Sequence, residues 1–297
     1  MKKLLLIGTL FLLCVGLVTS QAFAFSLLGG YQGQVELKFS DFTQGVLHTS
    51  NSDNNSDGIP DYGNADNDPD SYSIFKVSTI KAPDTTMLWH DTQDGEEIVG
   101  IFYGIDDDWW RVDSGNLEIK SIDGKLDLYL QDAGVFDPTS GPNDGTLPSD
   151  GHDGYYATVG DDPSSSSFLT GDLVQGITST NGDDQDDHIT FYNELTSTTS
   201  PFTGKGAFYI SLTGGNYYNL FNSDGFGGGL DDSGETIPIS DLWAQFDSEA
   251  PGDFGWLANS EDPVEGAAVP EPATMLLFGS GLLGLAGFGR KKLNKKS

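Results

Sequence analysis

The sequence predicts an all-β, antiparallel fold, and three observations carry that prediction. Apolar residues recur at every second position in a series of short segments along the chain. The intervals between them are rich in Gly, Asp, Asn, Ser and Thr, with 39 glycines in 297 residues, nearly double the usual share of about 7%. No stretch between the two chain ends holds an apolar face at i, i+3, i+4 and i+7 for three turns, so helices are not expected there. Hydrophobic residues make up 37% and aromatics 11% of the chain, enough to bury a core and to exclude a wholly disordered protein.

Taken in order, Gln34 to Phe39 alternates Val35, Leu37 and Phe39 on one face. Ser73 to Ile80 and Glu96 to Ile105 are β-branched and aromatic. Asn116 to Leu130 reads as a hairpin, with Asp123-Gly124 as a favoured two-residue turn between Leu117, Ile119 and Leu126, Leu128, Leu130. Tyr155 to Val159, His188 to Leu195, Ala207 to Leu212 and Ile237 to Phe246 continue the pattern. Many short strands joined by such turns predict an antiparallel sandwich or barrel. The reading adopted is one jelly-roll-like β-sandwich over residues 25–257, with roughly ten or more strands. Ala258 to Ala268 is polar, contains Pro263, ends just before Pro270, and reads as a linker.

The two ends differ from this body. Residues 1–24 have a positive start at Lys2-Lys3, an apolar run from Leu4 to Val18, and a small-x-small site at Ala22-Phe23-Ala24. That is the pattern of a secretory signal peptide, cut before Phe25. Cys14 follows Leu13 in the middle of the apolar run and does not mark a lipoprotein. It is also the sole cysteine, so the exported chain has no disulfide to form.

At the other end Val269-Pro270-Glu271-Pro272 leads into the apolar residues 273–289, followed by Arg290-Lys291-Lys292, Lys295 and Lys296. Seventeen apolar residues make a helix of about 25 Å, at the short end for a membrane span. The basic residues 290–297 are expected to stay on the cytoplasmic side. The tripeptide Pro270-Glu271-Pro272, directly before a Gly-rich span and a basic end, resembles the PEP-CTERM sorting signal. The resemblance covers residues 269–297. It implies processing by an exosortase, a membrane-embedded cysteine transpeptidase-like enzyme. It also implies a Gram-negative host that makes exopolysaccharide, with the protein ending at the cell surface or in the extracellular matrix.

Charge sharpens this reading. The whole chain carries 14 basic and 45 acidic residues. Losing Lys2 and Lys3 with the leader, and the five basic residues of the tail, leaves seven basic against all 45 acidic ones, a net charge of −38. Such a surface repels phosphate backbones, which excludes nucleic acid as a partner.

Within the body, the acidic loop 51–70 carries the best constellation. In Asp53-Asn-Asn55-Ser-Asp57-Gly58-Ile59-Pro-Asp61-Tyr-Gly-Asn64, Asp53, Asn55 and Asp57 stand at the alternate positions 1, 3 and 5 of a calcium loop. Gly58 supplies the turn at position 6, the Ile59 carbonyl suits position 7 and Asp61 position 9. The stretch is similar to the calcium loops of thrombospondin type 3 and dockerin-like repeats. Asn64 at position 12 replaces the bidentate Glu of an EF-hand, which predicts a weak site of roughly 0.1–1 mM. Calcium here would order a loop and stabilise the fold, without a catalytic part. Asp183–Asp187 and Asp231-Asp232 lack that spacing and read as solvated loop tips.

Catalytic motifs are missing. His48, His90, His152 and His188 do not pair at metal-binding spacing, and no nucleophile elbow or phosphate-cradling loop occurs. Glu96, Glu118 and Glu194 are strand-borne candidates for two-carboxylate glycoside hydrolysis, but nothing in the sequence ranks them. The expectation is a non-enzymatic protein. Asp107-Asp108-Trp109-Trp110 and Tyr217-Tyr218 place aromatics beside hydrogen-bonding groups. Trp109 and Trp110 are therefore candidate glycan contacts, on opposite faces of a strand, which keeps a carbohydrate-binding adhesin as the alternative function. A glycoside-active secreted enzyme is the more remote one. The expected partners are the general secretion machinery, the inner membrane through residues 273–289, exosortase, extracellular polysaccharide and Ca2+.

Overall fold

The structure is a computed structural model that describes residues 27–45, 71–113, 116–141, 156–175, 189–195, 202–227, 239–250, 253–256 and 258–269. The leader 1–24, the acidic loop 51–70, and residues 270–297 with their tripeptide and apolar span lie outside the described residues.

Twelve strands are described: β1 (Gly33–Gly45), β2 (Ser71–Lys81), β3 (Met87–His90), β4 (Glu96–Asp113), β5 (Asn116–Asp132), β6 (Ser166–Leu173), β7 (Phe191–Leu195), β8 (Phe202–Gly214), β9 (Phe226–Gly227), β10 (Ile239–Ser240), β11 (Leu242–Ala250) and β12 (Ala258–Ala268). A single helical turn, α1 (Tyr218–Phe221), follows β8. The antiparallel all-β expectation holds. The sandwich does not.

Ten of the strands form one sheet, in the order β1-β12-β11-β8-β6-β5-β4-β2-β3, and β1 also pairs with β2. That extra ladder joins the sheet to itself, so the strands form a ring: a barrel in place of two facing sheets. β7 pairs with β5 and β8 beyond the end of β6, so β6 and β7 share one place in the ring. Period-two alternation is identical in a sandwich and a barrel. What separates them is whether β1 finds both β2 and β12, and that is a long-range fact.

The pleat sorts the side chains. Val35, Leu37 and Phe39 of β1, Phe75 and Val77 of β2, Ile98 and Phe102 of β4, and Leu126 and Leu128 of β5 point inward to the main core. Leu27, Leu28, Trp89, Leu220 and Phe221 join the same core near the end of the barrel where β1 begins and β12 finishes. Two inward glycines make room for aromatic rings. A Cβ on Gly100 would lie 2.4 Å from Phe75 Cζ, and one on Gly206 would lie 2.1 Å from Phe246 Cζ. Each is the cross-strand partner of the ring that covers it.

A second, smaller core lies on the outside of β2 and β4. Tyr72, Ile74, Val99, Ile101 and Tyr103 are covered there by Tyr156, Val159 and Trp256. The cover is pinned by polar contacts. Trp256 Nε1 donates to the Pro138 carbonyl at 3.0 Å, and the Tyr156 hydroxyl donates to the Gly141 carbonyl at 3.1 Å. Tyr155 to Val159 is therefore not the expected strand. Residues 156–160 form a turn whose apolar side chains cap another strand's outer face.

Two further expectations are corrected. Asn116 to Leu130 is not a hairpin but part of one continuous strand. Asp123 (φ 55°) and Gly124 (φ 108°) take the left-handed conformations that a two-residue turn would need, yet they make a bend inside β5. β4 is long enough to pair with both halves, from Val112↔Leu117 to Glu96↔Asp132. Before the bend β5 pairs with β7, and after it with β6. Ala258 to Ala268, read as a linker, is strand β12, held between β1 and β11. Its weak β-formers and Pro263 hide it locally. The β11 ladder omits Asp262 and Pro263, while β1 pairs through both, so the missing proline N–H falls at a gap.

Candidate functional site

Two regions of the structure have the makings of function: the junction of β12 with the C-terminal segment, and the interior of the barrel at its opposite end.

The junction is short. β12 stays paired to its last residue, with Gly33↔Ala268 as its final partners on β1. The next amide, Val269 N, donates to the Leu220 carbonyl of α1 at 2.8 Å. Pro270, Glu271 and Pro272 follow at once, outside the described residues. The tripeptide is thus joined directly to a fully paired strand. The described chain also begins at this end, since β1 starts at Gly33 opposite Ala268.

At the opposite end lie the tips of β1, β2, β7, β11 and β12. Inward positions change character along the barrel: on β1 they read Val35, Leu37, Phe39, then Asp41 and Thr43. β2 passes from Val77 and Phe75 to Ser73 and Ser71, and β11 from Phe246 to Ser248. Here a cavity of about 90 Å³ remains, with Phe39, Phe102, Phe191, Phe208 and Phe246 among its walls. Ser248 Oγ donates to Asn193 Oδ1 at 3.2 Å on its rim.

Asp41 is the charged group of this cavity. Ser260 donates to its Oδ1 through both the backbone N–H, at 2.6 Å, and the hydroxyl, and Thr43 Oγ1 donates to Oδ2 at 3.0 Å. Burial pushes the carboxyl up to about 6, against the lowering effect of hydrogen bonds from Ser260, Thr43 and Ser73. Sequence reading missed Asp41, although its parity with Val35, Leu37 and Phe39 was a visible signal that it faces inward.

Two other buried acids do a different job. Glu97 accepts from the backbone N–H groups of Gly134, Val135 and Phe136, at 3.1, 3.1 and 2.7 Å, and from Gln131 Nε2 at 3.0 Å. It holds the loop after β5 over the outer core. Asp241 accepts from Leu212 N at 2.8 Å, Ser223 N at 2.7 Å and Asp224 N at 2.9 Å, tying the β8 end and the segment after α1 to the start of β11. Both are backbone clamps.

The sites expected from sequence fall as follows. Asp53, Asn55, Asp57, Ile59, Asp61 and Asn64 lie outside the described residues; the structure shows only that the loop's base is closed by the pair Gly45↔Ser71. Among the described residues no group of three or more His, Cys, Asp or Glu is placed to hold a metal ion. Trp109 and Trp110 lie in β4 opposite Lys120 and Ile119, with side chains outside the described residues. Tyr217 is buried against Phe168, ring centroids 4.6 Å apart, and forms no exposed platform. Register places Glu118 opposite Glu194 across β5 and β7, whereas Glu96 lies at the far end of β4. Burial raises the Glu96 carboxyl, with Asp94 and Asp132 adding to the effect.

Comparison with known proteins identifies one part of the chain. Residues 268–291 match the PEP-CTERM protein-sorting motif, so the resemblance read from Pro270-Glu271-Pro272 and its flank is established. The match starts at the last residue of β12. The motif is that of an exosortase-processed secreted protein, consistent with export and membrane-associated sorting in Gram-negative bacteria. No curated protein and no solved structure matches the chain.

Proposed function

We propose that this protein is an exported, non-enzymatic barrel of the cell surface or extracellular matrix. It leaves by the general secretion route, is held transiently in the inner membrane by residues 273–289, and is processed by exosortase at Pro270-Glu271-Pro272. It then associates with exopolysaccharide in a biofilm matrix. The observation that carries this reading is the sorting motif at 268–291, continuous with a strand of the barrel.

The geometry adds an orientation. Both chain ends leave from one end of the barrel, so a span following Pro272 holds that end toward the bilayer and the cavity end away from it. The outer wall suits water: Lys38, Lys205, Gln245, Asp247 and Glu249 are exposed on it, the reverse of the apolar outer band of a transmembrane barrel.

Intact mass and peptide mapping of protein recovered from the matrix of its host test the reading. A chain ending near Pro270 to Pro272 is expected. Peptides extending through Lys296, confined to the membrane fraction, would make the tail an ordinary anchor.

Calcium binding at Asp53, Asn55, Asp57, Ile59, Asp61 and Asn64 belongs to the same proposal, supported by ligand spacing and by the closed base at Gly45↔Ser71. Millimolar calcium is expected to raise the melting temperature reversibly, by RT ln(1 + [L]/Kd) in stability. An equal rise in Asp57→Ala would remove this site.

A further inference from the structure

The cavity end of the barrel resists a purely structural explanation. Inside a small barrel, inward positions are ordinarily filled by side chains that pack. Here they turn from apolar to polar on several strands at one level, and Asp41, Ser73, Ser248 and Ser260 are buried there. Had the strand ends needed only closure, Val or Leu at these positions would have filled the space without desolvating a carboxyl group.

Asp41 also differs from Glu97 and Asp241 in its surroundings. Glu97 and Asp241 each accept three backbone N–H groups, a fixed arrangement with no room for a ligand. Asp41 accepts one backbone N–H, and its other partners are the hydroxyls of Ser260, Thr43 and Ser73, which can rotate to accept as well as donate. It is the one charged side chain among the described residues lining the cavity. No cation among them offsets it.

We infer that this cavity is a binding site for a small alkylammonium ion, whose charged head pairs with Asp41 while its methylene groups lie among the phenylalanine rings. Three features select that class. A buried, cation-free carboxylate needs positive charge. The phenylalanine rings along the walls offer apolar surface on which methylene groups are buried. A cavity of about 90 Å³, smaller than the ~150 Å³ that takes a benzene ring, suits a chain of a few heavy atoms. The strongly negative chain draws cations toward it and disfavours anions.

The test is a thermal-melting titration of the full-length chain in detergent, with propylammonium chloride against equal sodium chloride. 1-Propanol, which has the same number of heavy atoms without the charge, and sodium propionate serve as comparators. At pH 7.5 propylammonium is expected to raise the melting temperature by about 3 °C near ten times its Kd, with no rise from the alcohol or the acid. The rise is expected to vanish in Asp41→Asn and, in the unaltered chain, at pH 4.5, where the carboxyl is protonated. If the variant fails to fold, high sodium chloride decides the matter: it screens binding at the acidic surface and leaves a rise from the buried Asp41 largely intact. A rise with 1-propanol equal to that with propylammonium would make the cavity a neutral site. A rise that persists in Asp41→Asn would move the cation to the acidic surface. No rise at all, or a rise undiminished at pH 4.5, would also overturn the inference.

Discussion

At the scale of single residues, the acidic side chains divide by what they touch, and composition alone cannot make that division. Asp241 and Glu97 fasten loops through backbone N–H groups, whereas Asp41 faces a cavity. Composition could not separate these three among 45 acidic residues, although the parity of Asp41 with Val35, Leu37 and Phe39 pointed inward. Asp41 makes a pH prediction whose sign follows from its shift. Its carboxyl rises from 3.8 to about 6 on folding, so the folded chain holds the proton more tightly than the unfolded one. Its contribution is therefore full below about pH 4 and is lost as pH rises through about 6, by roughly 3 kcal/mol. Urea melts from pH 4 to 7 should show Asp41→Asn gaining on the unaltered chain toward neutral pH by an amount of that order. Parallel pH profiles would show that Asp41 titrates as in the unfolded chain.

At the scale of elements, alternation located most strands but misjudged their ends, one turn, and the segment Tyr155 to Val159, which is no strand. Asp123-Gly124 carries the backbone preference of a hairpin turn, and that preference is realised: both residues have positive φ. The same dihedrals serve a bend, and the length of β4 decided which one formed. β12 was invisible for the opposite reason. Its residues have little strand preference, and its two neighbours supply the ladders that make it a strand. The paired glycines and rings state a packing rule that the sequence hides, because Gly206 and Phe246 are distant along the chain. In Gly206→Val the new side chain would meet the Phe246 ring, and overpacking is expected to cost about 1–3 kcal/mol. A lowered urea midpoint with unchanged slope would register that loss; an unchanged midpoint would mean that the ring has free space to turn into.

For the whole molecule, the class of fold, the acidic surface and the sorting motif are all legible in the amino-acid order. Each depends on local order or on bulk composition: a period of two, a charge count, a tripeptide before an apolar span. Tertiary structure alone decided that the sheet closes into a barrel, that the supposed linker is one of its strands, and that Asp41 faces a cavity lined with aromatic rings. It also decided that the described chain begins and ends opposite that cavity, with Gly33 paired to Ala268. These depend on β1 meeting β2 on one side and β12 on the other, a pairing of segments more than two hundred residues apart. Such pairings are selected by the burial of the whole interior at once, so no local pattern in the chain announces them.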